Sequence, residues 1–293
     1  MVTDRKKVDV DYIKDKWMSD LYFKSDFYEI KNWSFDFVTA QEQGVGYNDC
    51  FCIMFVQKGN FLFDISRKTF DLHTGYVLVD KPDYEYRLRP AAGQCSIFNF
   101  SADFYRQFLE DLNLKGAFFF SNSSLLSLLL HTTPEMEYLH YQLMKNTNTG
   151  KLEKDNLVIE LLKQITQTIA PNLVEKDLSD NLKKYHLVTI EKAKEYIHEH
   201  FFQDISLFEI SSYACVSPFH FSRIFKKFTS FSPHQYLQNI RLKHGEILLK
   251  GSALSIADVS FQSGFTSAEY FATAFRHRFK RSPTDYRKIA SGW

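Results

Sequence analysis

The last ninety residues of this chain repeat themselves. From Ser217 onward, residues fifty apart match: Ser217 with Ser267, Phe221 with Phe271, Phe225 with Phe275, Lys226 with Arg276, Ser232 with Ser282, Pro233 with Pro283 and Tyr236 with Tyr286. Upstream the offset is forty-nine, pairing Ser206 with Ser255, Leu207 with Ile256, Ile210 with Val259 and Ser211 with Ser260, so Thr266 is a one-residue insertion. Two copies of one small unit explain this most simply, and a repeat constrains architecture before any propensity is consulted.

Each copy reads as two helices around a tight turn. Ser206-Leu-Phe-Glu209 has the spacing of a capping box and opens a helix with Leu207, Ile210 and Ala214 facing inward. Cys215-Val216 interrupts it, and Ser217-Pro218 restarts a helix with a cap residue and a proline at the first turn. Phe221, Ile224, Phe225 and Phe228 recur at three- and four-residue spacing and form a buried stripe. Phe219, His220, Ser222, Arg223, Lys226 and Lys227 are left facing outward or sideways. In the second copy Ser255-Ile-Ala-Asp258 caps the first helix and Gly264-Phe265 makes the turn, where Gly264 suits a positive φ. Ser267 then starts a helix with Phe271, Ala274 and Phe275 buried. A short helix, a turn and a second amphipathic helix make a helix-turn-helix. Between the copies, Ser232-Pro-His-Gln235 starts a longer spacer helix with a stripe through Tyr236, Leu237, Ile240, Leu242, Ile247 and Leu248, ended by Gly251. With an amphipathic helix over Val188 to Phe201 and another after Ser282, about seven helices are expected.

Charge separates this region from the rest. Residues 181 to 293 hold 16 Lys and Arg against 9 Asp and Glu, and residues 1 to 180 hold 20 against 26, so an overall charge of +1 hides two halves of opposite sign. A basic helix-turn-helix module is what neutralising DNA phosphates requires.

The run Ile256-Ala-Asp-Val-Ser-Phe-Gln-Ser-Gly-Phe-Thr-Ser-Ala-Glu-Tyr-Phe271, with Phe275-Arg276, Phe279, Ser282-Pro283 and Tyr286-Arg287, resembles the signature of the AraC/XylS family of bacterial transcription regulators. Ser217-Pro-Phe-His-Phe-Ser-Arg-Ile-Phe-Lys-Lys227 is similar to that family's first recognition helix. The resemblance covers residues 183 to 290. It implies a seven-helix domain whose two recognition helices enter successive major-groove segments of double-stranded promoter DNA. It implies base contacts from Phe219, His220, Ser222 and Arg223 in the first helix, and from Ala268, Glu269, Ala272 and Thr273 in the second. Arg223 suits a bidentate contact to guanine, and Phe219 an apolar contact to thymine methyls. Ser217, Lys226, Lys227, Ser267, Arg276, Arg278, Lys280 and Arg281 are the expected phosphate anchors, which fix register without carrying sequence information.

The first 180 residues differ in texture. Phe35 to Val38, Cys50 to Val56, Phe61 to Ser66, Lys68 to Leu72, Tyr76 to Asp80, Tyr84 to Leu88 and Cys95 to Phe100 are short β-rich runs. Turn signals at Lys58-Gly59-Asn60, His73-Thr-Gly75 and Pro90-Ala-Ala-Gly93 separate them. Such strands suggest a small barrel or jelly roll. Ala102 to Leu112, Ser124 to His131, Glu135 to Lys145 and Leu152 to Ile169 then read as helices. The order Gly59, Leu72-x-x-Gly75, Lys81-Pro82 and Phe98-x-Phe100 resembles the cupin-type sensor domain of many members of the same family. That implies a small-molecule effector inside the barrel, with pocket residues unknown, and a homodimer paired through the following helices. A barrel filled by its own side chains, with Leu152 to Ile169 packed on its own chain, stays open.

The fold class expected is therefore α+β: a cupin-like β-barrel or jelly roll followed by helices, then an all-α C-terminal domain with two helix-turn-helix units. Residues 1–175 form the sensing and dimerisation domain, 176–186 the linker and 187–293 the DNA-binding domain. No catalysis, cofactor or metal is expected: a metal cupin needs converging histidines, and this half has His73, His131 and His140, the last two on expected helices. His198-x-His200 reads as surface. Cys50 and Cys52 share one side of a strand with Cys95 nearby, which leaves a thiol-based redox regulator as one alternative and a constitutive, ligand-free DNA-binding regulator as another. Four cysteines, no signal peptide and no run of eighteen apolar residues suggest a cytoplasmic chain with reduced thiols and no membrane partner. RNA polymerase is a partner if the protein is an activator.

Overall fold

The first half is built by alternating β-branched and aromatic residues into antiparallel strands. In the computed structural model, which describes residues 17–36, 44–66, 68–89, 92–111, 118–145, 151–169 and 180–290, these are β1 (Trp17–Lys24), β2 (Tyr28–Asp36), β3 (Gly44–Asn48), β4 (Phe51–Ile65), β5 (Lys68–His73), β6 (Tyr76–Asp80), β7 (Tyr84–Leu88) and β8 (Ala92–Phe100). Two short helices, α1 (Ala102–Asp111) and α2 (Phe118–Ser121), and a last strand, β9 (Ser127–His131), follow. One sheet runs β1-β2-β8-β4-β6-β9, and β3, β7, β4 and β5 make the second. Phe35 falls at the end of β2, whereas residues 37 and 38 of that expected run lie outside the described residues.

Strand β4 belongs to both sheets. Phe51 to Val56 pairs with β8 and, in part, β6, while Asn60 to Ile65 pairs with β5 and, in part, β7. The expected turn at Lys58-Gly59-Asn60 is instead a bulge: the register slips between Val56 and Lys58, and Gly59 takes φ +87°. A Cβ there would sit 2.3 Å from the Ala92 carbonyl oxygen, so glycine is what lets β8 pass. The expected runs Cys50–Val56 and Phe61–Ser66 thus fall on one long strand, apart from Cys50 and Ser66 at its ends. The two sheets share a core of Phe35, Met54, Val56, Phe61, Phe63, Leu72, Leu78, Tyr84, Leu88 and Cys95.

The helix expected over Ser124 to His131 is β9, paired with β6 from Tyr76↔His131 to Asp80↔Ser127. Three successive leucines satisfy either period, and the open edge of β6 decides in favour of the strand, with Leu128 and Leu130 buried. His131 is therefore on a strand, and His140 stays on a helix.

The helical remainder comprises α3 (Pro134–Lys145), α4 (Lys151–Ile169), α5 (Asp180–His200), α6 (Leu207–Tyr213), α7 (Pro218–Thr229), α8 (Pro233–Gly251), α9 (Ile256–Gln262), α10 (Ala268–Phe279) and α11 (Pro283–Ala290). From Asp180 the described residues form seven helices. Of the 176–186 linker, residues 176 to 179 lie outside the described residues and Asp180 onward is the start of α5.

Compactness divides the chain differently from composition. One unit is Met1–Thr132 with Ile165–Val188, and the other is Thr133–Gln164 with Thr189–Trp293. A boundary drawn at 175–187 follows the change in charge along the chain. Packing instead places α3 and the first turns of α4 among the helices of the second unit, because their charged residues find partners there. Glu137 Oε1 accepts from Lys194 Nζ at 2.6 Å and Glu137 Oε2 from Tyr236 Oη at 2.5 Å, and Glu160 pairs with Lys243 at 2.7 Å. Helix α8, expected as a spacer, is the centre of this unit and packs against α3, α7, α9, α10 and α11. The stripe of α4 through Val158, Leu161, Leu162, Ile165 and Ile169 is buried within the single chain.

Candidate nucleic-acid interface

The repeat in sequence is a repeat in backbone. Ser206 and Ser232 close capping boxes with Glu209 and Gln235, and Ser217, Ser255 and Ser267 cap the helices they precede. The turn inside each copy needs a left-handed residue: Cys215 has φ +59° and Gly264 φ +81°. Helices α7 and α10 both end on a left-handed residue, Ser230 at +65° and Lys280 at +59°, whose N–H returns to Lys226 or Arg276 four residues back.

Gly264 is fixed by its neighbours as well as by its φ. Arg241 donates from Nε to the Phe201 carbonyl at 2.7 Å and from Nη2 to the Gln203 carbonyl at 2.6 Å, tying α8 to the end of α5. A Cβ on Gly264 would lie 2.5 Å from that Phe201 oxygen and 2.9 Å from Arg241 Nε. Gly264→Ala is expected to cost about 2–4 kcal/mol, combining left-handed strain with a backbone clash, as read from urea unfolding. A loss below about 1 kcal/mol would mean the turn adapts.

The two second helices bury matched aromatic faces and expose unlike outer ones. Phe221, Ile224, Phe225 and Phe228 are buried in α7, and Phe271 and Phe275 in α10, with Ala274 half-buried. On the outer side of α7, Arg223, Lys226 and Lys227 are exposed and His220 and Ser222 half-buried, whereas the Phe219 side chain lies outside the described residues. On α10, Glu269, Thr273 and Arg276 are exposed and Ala268 and Ala272 half-buried. One face offers a long cation and a hydroxyl, the other mostly methyl groups. Ser217 Oγ accepts from the His220 N–H and Ser267 Oγ from the Tyr270 N–H. Each hydroxyl keeps its own proton to donate, so capping is compatible with gripping a phosphate.

Lys280 and Arg281 are exposed, and Lys280 Nζ donates to the His277 carbonyl. Arg278 is engaged: it forks onto Glu135 Oε1 from Nε at 3.3 Å and Nη2 at 2.9 Å. Glu135 is buried at the start of α3, so a phosphate would compete with a carboxylate already in place.

Sequence reasoning placed His198 on the surface, and the structure buries it. Its Nε2 lies 3.2 Å from Tyr236 Oη, its ring stacks on Tyr141, and burial lowers its pKa to about 3, so it is neutral. A helix already carrying Ile190, Ala193, Ile197 and Phe201 inward turns position 198 onto the adjoining flank, where α3 and α8 cover it. The α3 and α4 partners of α5, α8 and α10 were also missed; single acidic residues on a helix carry no signal of what they meet.

Within the β unit lies a cavity of about 250 Å³. Trp33 and Phe35 from β2, Phe61 and Phe63 from β4, and Tyr84 and Tyr86 from β7 supply aromatic walls, and Asp80 at the end of β6 is among the lining residues. Cys50, Cys52 and Cys95 all line it. Cys50 and Cys52 Sγ approach Asn48 Oδ1 at 3.8 and 3.7 Å, and Cys52 Sγ lies 3.7 Å from Asp80 Oδ2. Burial pushes the Cys50 thiol up to about 11 and Cys95 to about 12, and Cys52 rises well above its ordinary value. Thiols held protonated are poor nucleophiles, which weighs against redox sensing. Among the described residues no group of three His, Cys, Asp or Glu is placed to hold a metal ion, and no helix is long and apolar enough to cross a membrane.

Residues 210–289 match a family model described as a helix-turn-helix domain. An uncharacterised HTH-type transcriptional regulator of Staphylococcus aureus (strain COL) is 29% identical over 144 residues, which is 49% of this chain and 19% of that protein. The match thus spans about a fifth of the length of that relative. The C-terminal domain of AraT, a response regulator from Geobacillus stearothermophilus, is 31% identical with a TM-score of 0.34, covering 34% of this chain and 84% of that one. Fatty-acid-bound ToxT of Vibrio cholerae is 13% identical with a TM-score of 0.39, covering 92% and 98% of the two chains.

Proposed function

We propose that this chain, whose residues 210–289 match a helix-turn-helix domain model, is a sequence-specific DNA-binding transcription regulator of the AraC type whose β unit senses a small-molecule effector. The observation that carries the DNA reading is the pair of matched helix-turn-helix units, each with a capped second helix whose outer face remains open to a groove. Helix α8, 19 residues and so about 28 Å long, joins them, close to the roughly 34 Å between successive major-groove segments on one DNA face. Helix α7 supplies most direct readout, through Arg223 with His220, Ser222 and Phe219. Helix α10 reads through Ala268, Glu269, Ala272 and Thr273, where short side chains leave more to methyl contacts and DNA shape. Ser217, Ser267, Lys226, Lys227, Arg276, Lys280 and Arg281 hold phosphates, joined by Arg278 once it leaves Glu135. The effector reading is supported by the aromatic cavity in the β unit. Pairing of two copies belongs to the same proposal and uses the outer side of α4, where Leu152 and Ile159 are exposed seven residues apart.

Binding to DNA fragments selected from a random pool, compared with unselected DNA, tests the readout. Arg223→Ala is expected to lower affinity for the selected site by about 1–3 kcal/mol and to relax preference at one base position. Lys227→Ala should weaken both DNAs alike and reduce the salt slope by about one. Equal loss on both DNAs for Arg223→Ala would remove its base-reading role.

A further inference from the structure

Asp80 is a buried acid that the DNA-binding function does not use. Its residue is 1% exposed, one oxygen faces the Cys52 thiol, and Oδ1 has no hydrogen-bond partner among the described residues. Nor does a cation of the described chain reach it: Lys31, which also lines the cavity, is paired with Glu29 at 2.6 Å. A buried carboxyl without a counter-charge, with only a weak thiol donor on one oxygen and no partner on the other, is costly, and such groups ordinarily have partners. The walls beside it complete the pattern. The Phe63 and Tyr86 rings lie 4.8 Å apart and Tyr86 meets Tyr84 edge-on at 6.5 Å, so an aromatic cluster with electron-rich ring faces lines the same cavity as the acid.

We propose that this cavity takes a small apolar primary amine, with its ammonium against Asp80 Oδ1 and its hydrocarbon or aromatic body between Trp33, Phe63, Tyr84 and Tyr86. An ammonium supplies what the site lacks: a positive charge for Asp80, several donors for the open oxygen, and a cation for the ring faces. The cavity of about 250 Å³ has room for about eight water-sized groups, hence a ligand of roughly ten non-hydrogen atoms. A carboxylate ligand meets a like charge, and an alcohol brings one donor without the charge. The proposal rests on the effector-sensing reading and names its chemical class.

Burial raises the Asp80 carboxyl to about 7, against the neighbouring Ser127 and Tyr84 hydroxyls and the Cys52 thiol, which pull it down. An arriving ammonium favours the carboxylate, so binding below that pH releases the Asp80 proton to solvent. Affinity then rises with pH through about 7. The groups facing Asp80 are Cys52 from β4, Tyr84 from β7 and Ser127 from β9, with Lys31, Asp49, Cys50, Cys95 and Tyr86 elsewhere on the cavity lining. Burial holds the Cys52, Cys50 and Cys95 thiols and the Tyr84 and Tyr86 phenols protonated across this range.

Calorimetric titration of the full chain with phenethylamine, 2-phenylethanol and phenylacetate compares three ligands of one shape. The amine is expected to bind at least tenfold more tightly than the alcohol, with phenylacetate weaker still, and more tightly at pH 8 than at pH 6. In Asp80→Asn the advantage of the amine over the alcohol should fall to within about twofold while the alcohol binds as before. Equal or tighter binding of the alcohol or the carboxylate overturns the amine class and leaves a ligand-holding cavity standing. Binding of none of the three also overturns it. Ile97→Trp, which fills the cavity from β8, separately tests sensing: a changed affinity for the selected DNA keeps that reading, and an unchanged one removes it.

Discussion

Lys243→Met is expected to cost about 3–5 kcal/mol of folding stability in urea at neutral pH. Lys243 is 1% exposed at the middle of α8, and its ammonium reaches Glu160 on α4 at 2.7 Å and Glu246 one turn on at 2.9 Å. Glu246 is further held by Lys250 at 2.7 Å and by the Tyr286 hydroxyl from α11. Methionine keeps the volume and removes the charge, leaving two carboxylates with Lys250 as the one cation paired with them among the described residues. Burial pushes Glu246 upward, but Lys243, Lys250 and Tyr286 outweigh it and hold the carboxyl at about 2. A carboxyl depressed on folding contributes stability that is full above the unfolded value near 4.3 and lost as pH falls toward 2. Lys243→Met should therefore also move the acid-unfolding midpoint to higher pH. Replacing all three residues together, Lys243→Met with Glu160→Leu and Glu246→Met, should recover most of the loss, since a buried ion network exchanged for apolar groups is often neutral. A single-variant loss below about 1 kcal/mol would show that the network is solvated and does not fix α4 to α8.

The second large effect has the opposite sign. Asp80→Asn is expected to raise stability by on the order of 2–4 kcal/mol at pH 8 and to change it little at pH 4. In the unfolded chain this carboxyl ionises near its usual value of about 4; in the folded chain burial delays ionisation to about 7. Between those limits the folded state keeps a proton that the unfolded state has lost, so Asp80 lowers stability progressively from about pH 4 to about pH 7 and by a constant amount above. Asparagine cannot ionise and removes that slope. Thermal unfolding across pH 4 to 8 measures it directly, and parallel curves for the two proteins would contradict the buried, uncompensated state of Asp80. An acid that costs stability at the pH where a cell works is the kind of residue a binding site retains.

The helix-turn-helix repeat was legible because its signals are local. Ser206 with Glu209, Ser217 with Pro218, and Gly264 at the turn each act within a few residues, and the structure has the caps, the turn and the buried phenylalanines where they were expected. What escaped depends on partners distant in sequence. Gly59 reads as a turn signal in any window, and only the closeness of Ala92 makes it a bulge inside β4. The leucines of β9 carry no period that distinguishes strand from helix until β6 offers an open edge. The candidate cavity follows the same rule: Trp33, Phe63, Asp80 and Tyr86 come together only through the pairing of β2, β4, β6 and β7, so no motif announces it. In α10, Arg278 reads as a phosphate anchor from its basic surroundings, and its Glu135 partner lies 143 residues away.

Hydroxyl-radical footprinting of the full chain on DNA selected from a random pool tests the central claim most directly. Two helix-turn-helix units on one DNA face should protect two segments centred about 10 base pairs apart. Arg223→Ala should weaken the segment read by α7 more than the other, because α10 carries no equivalent cation at Thr273. A single protected segment, or uniform protection that Arg223→Ala does not alter, would contradict the account.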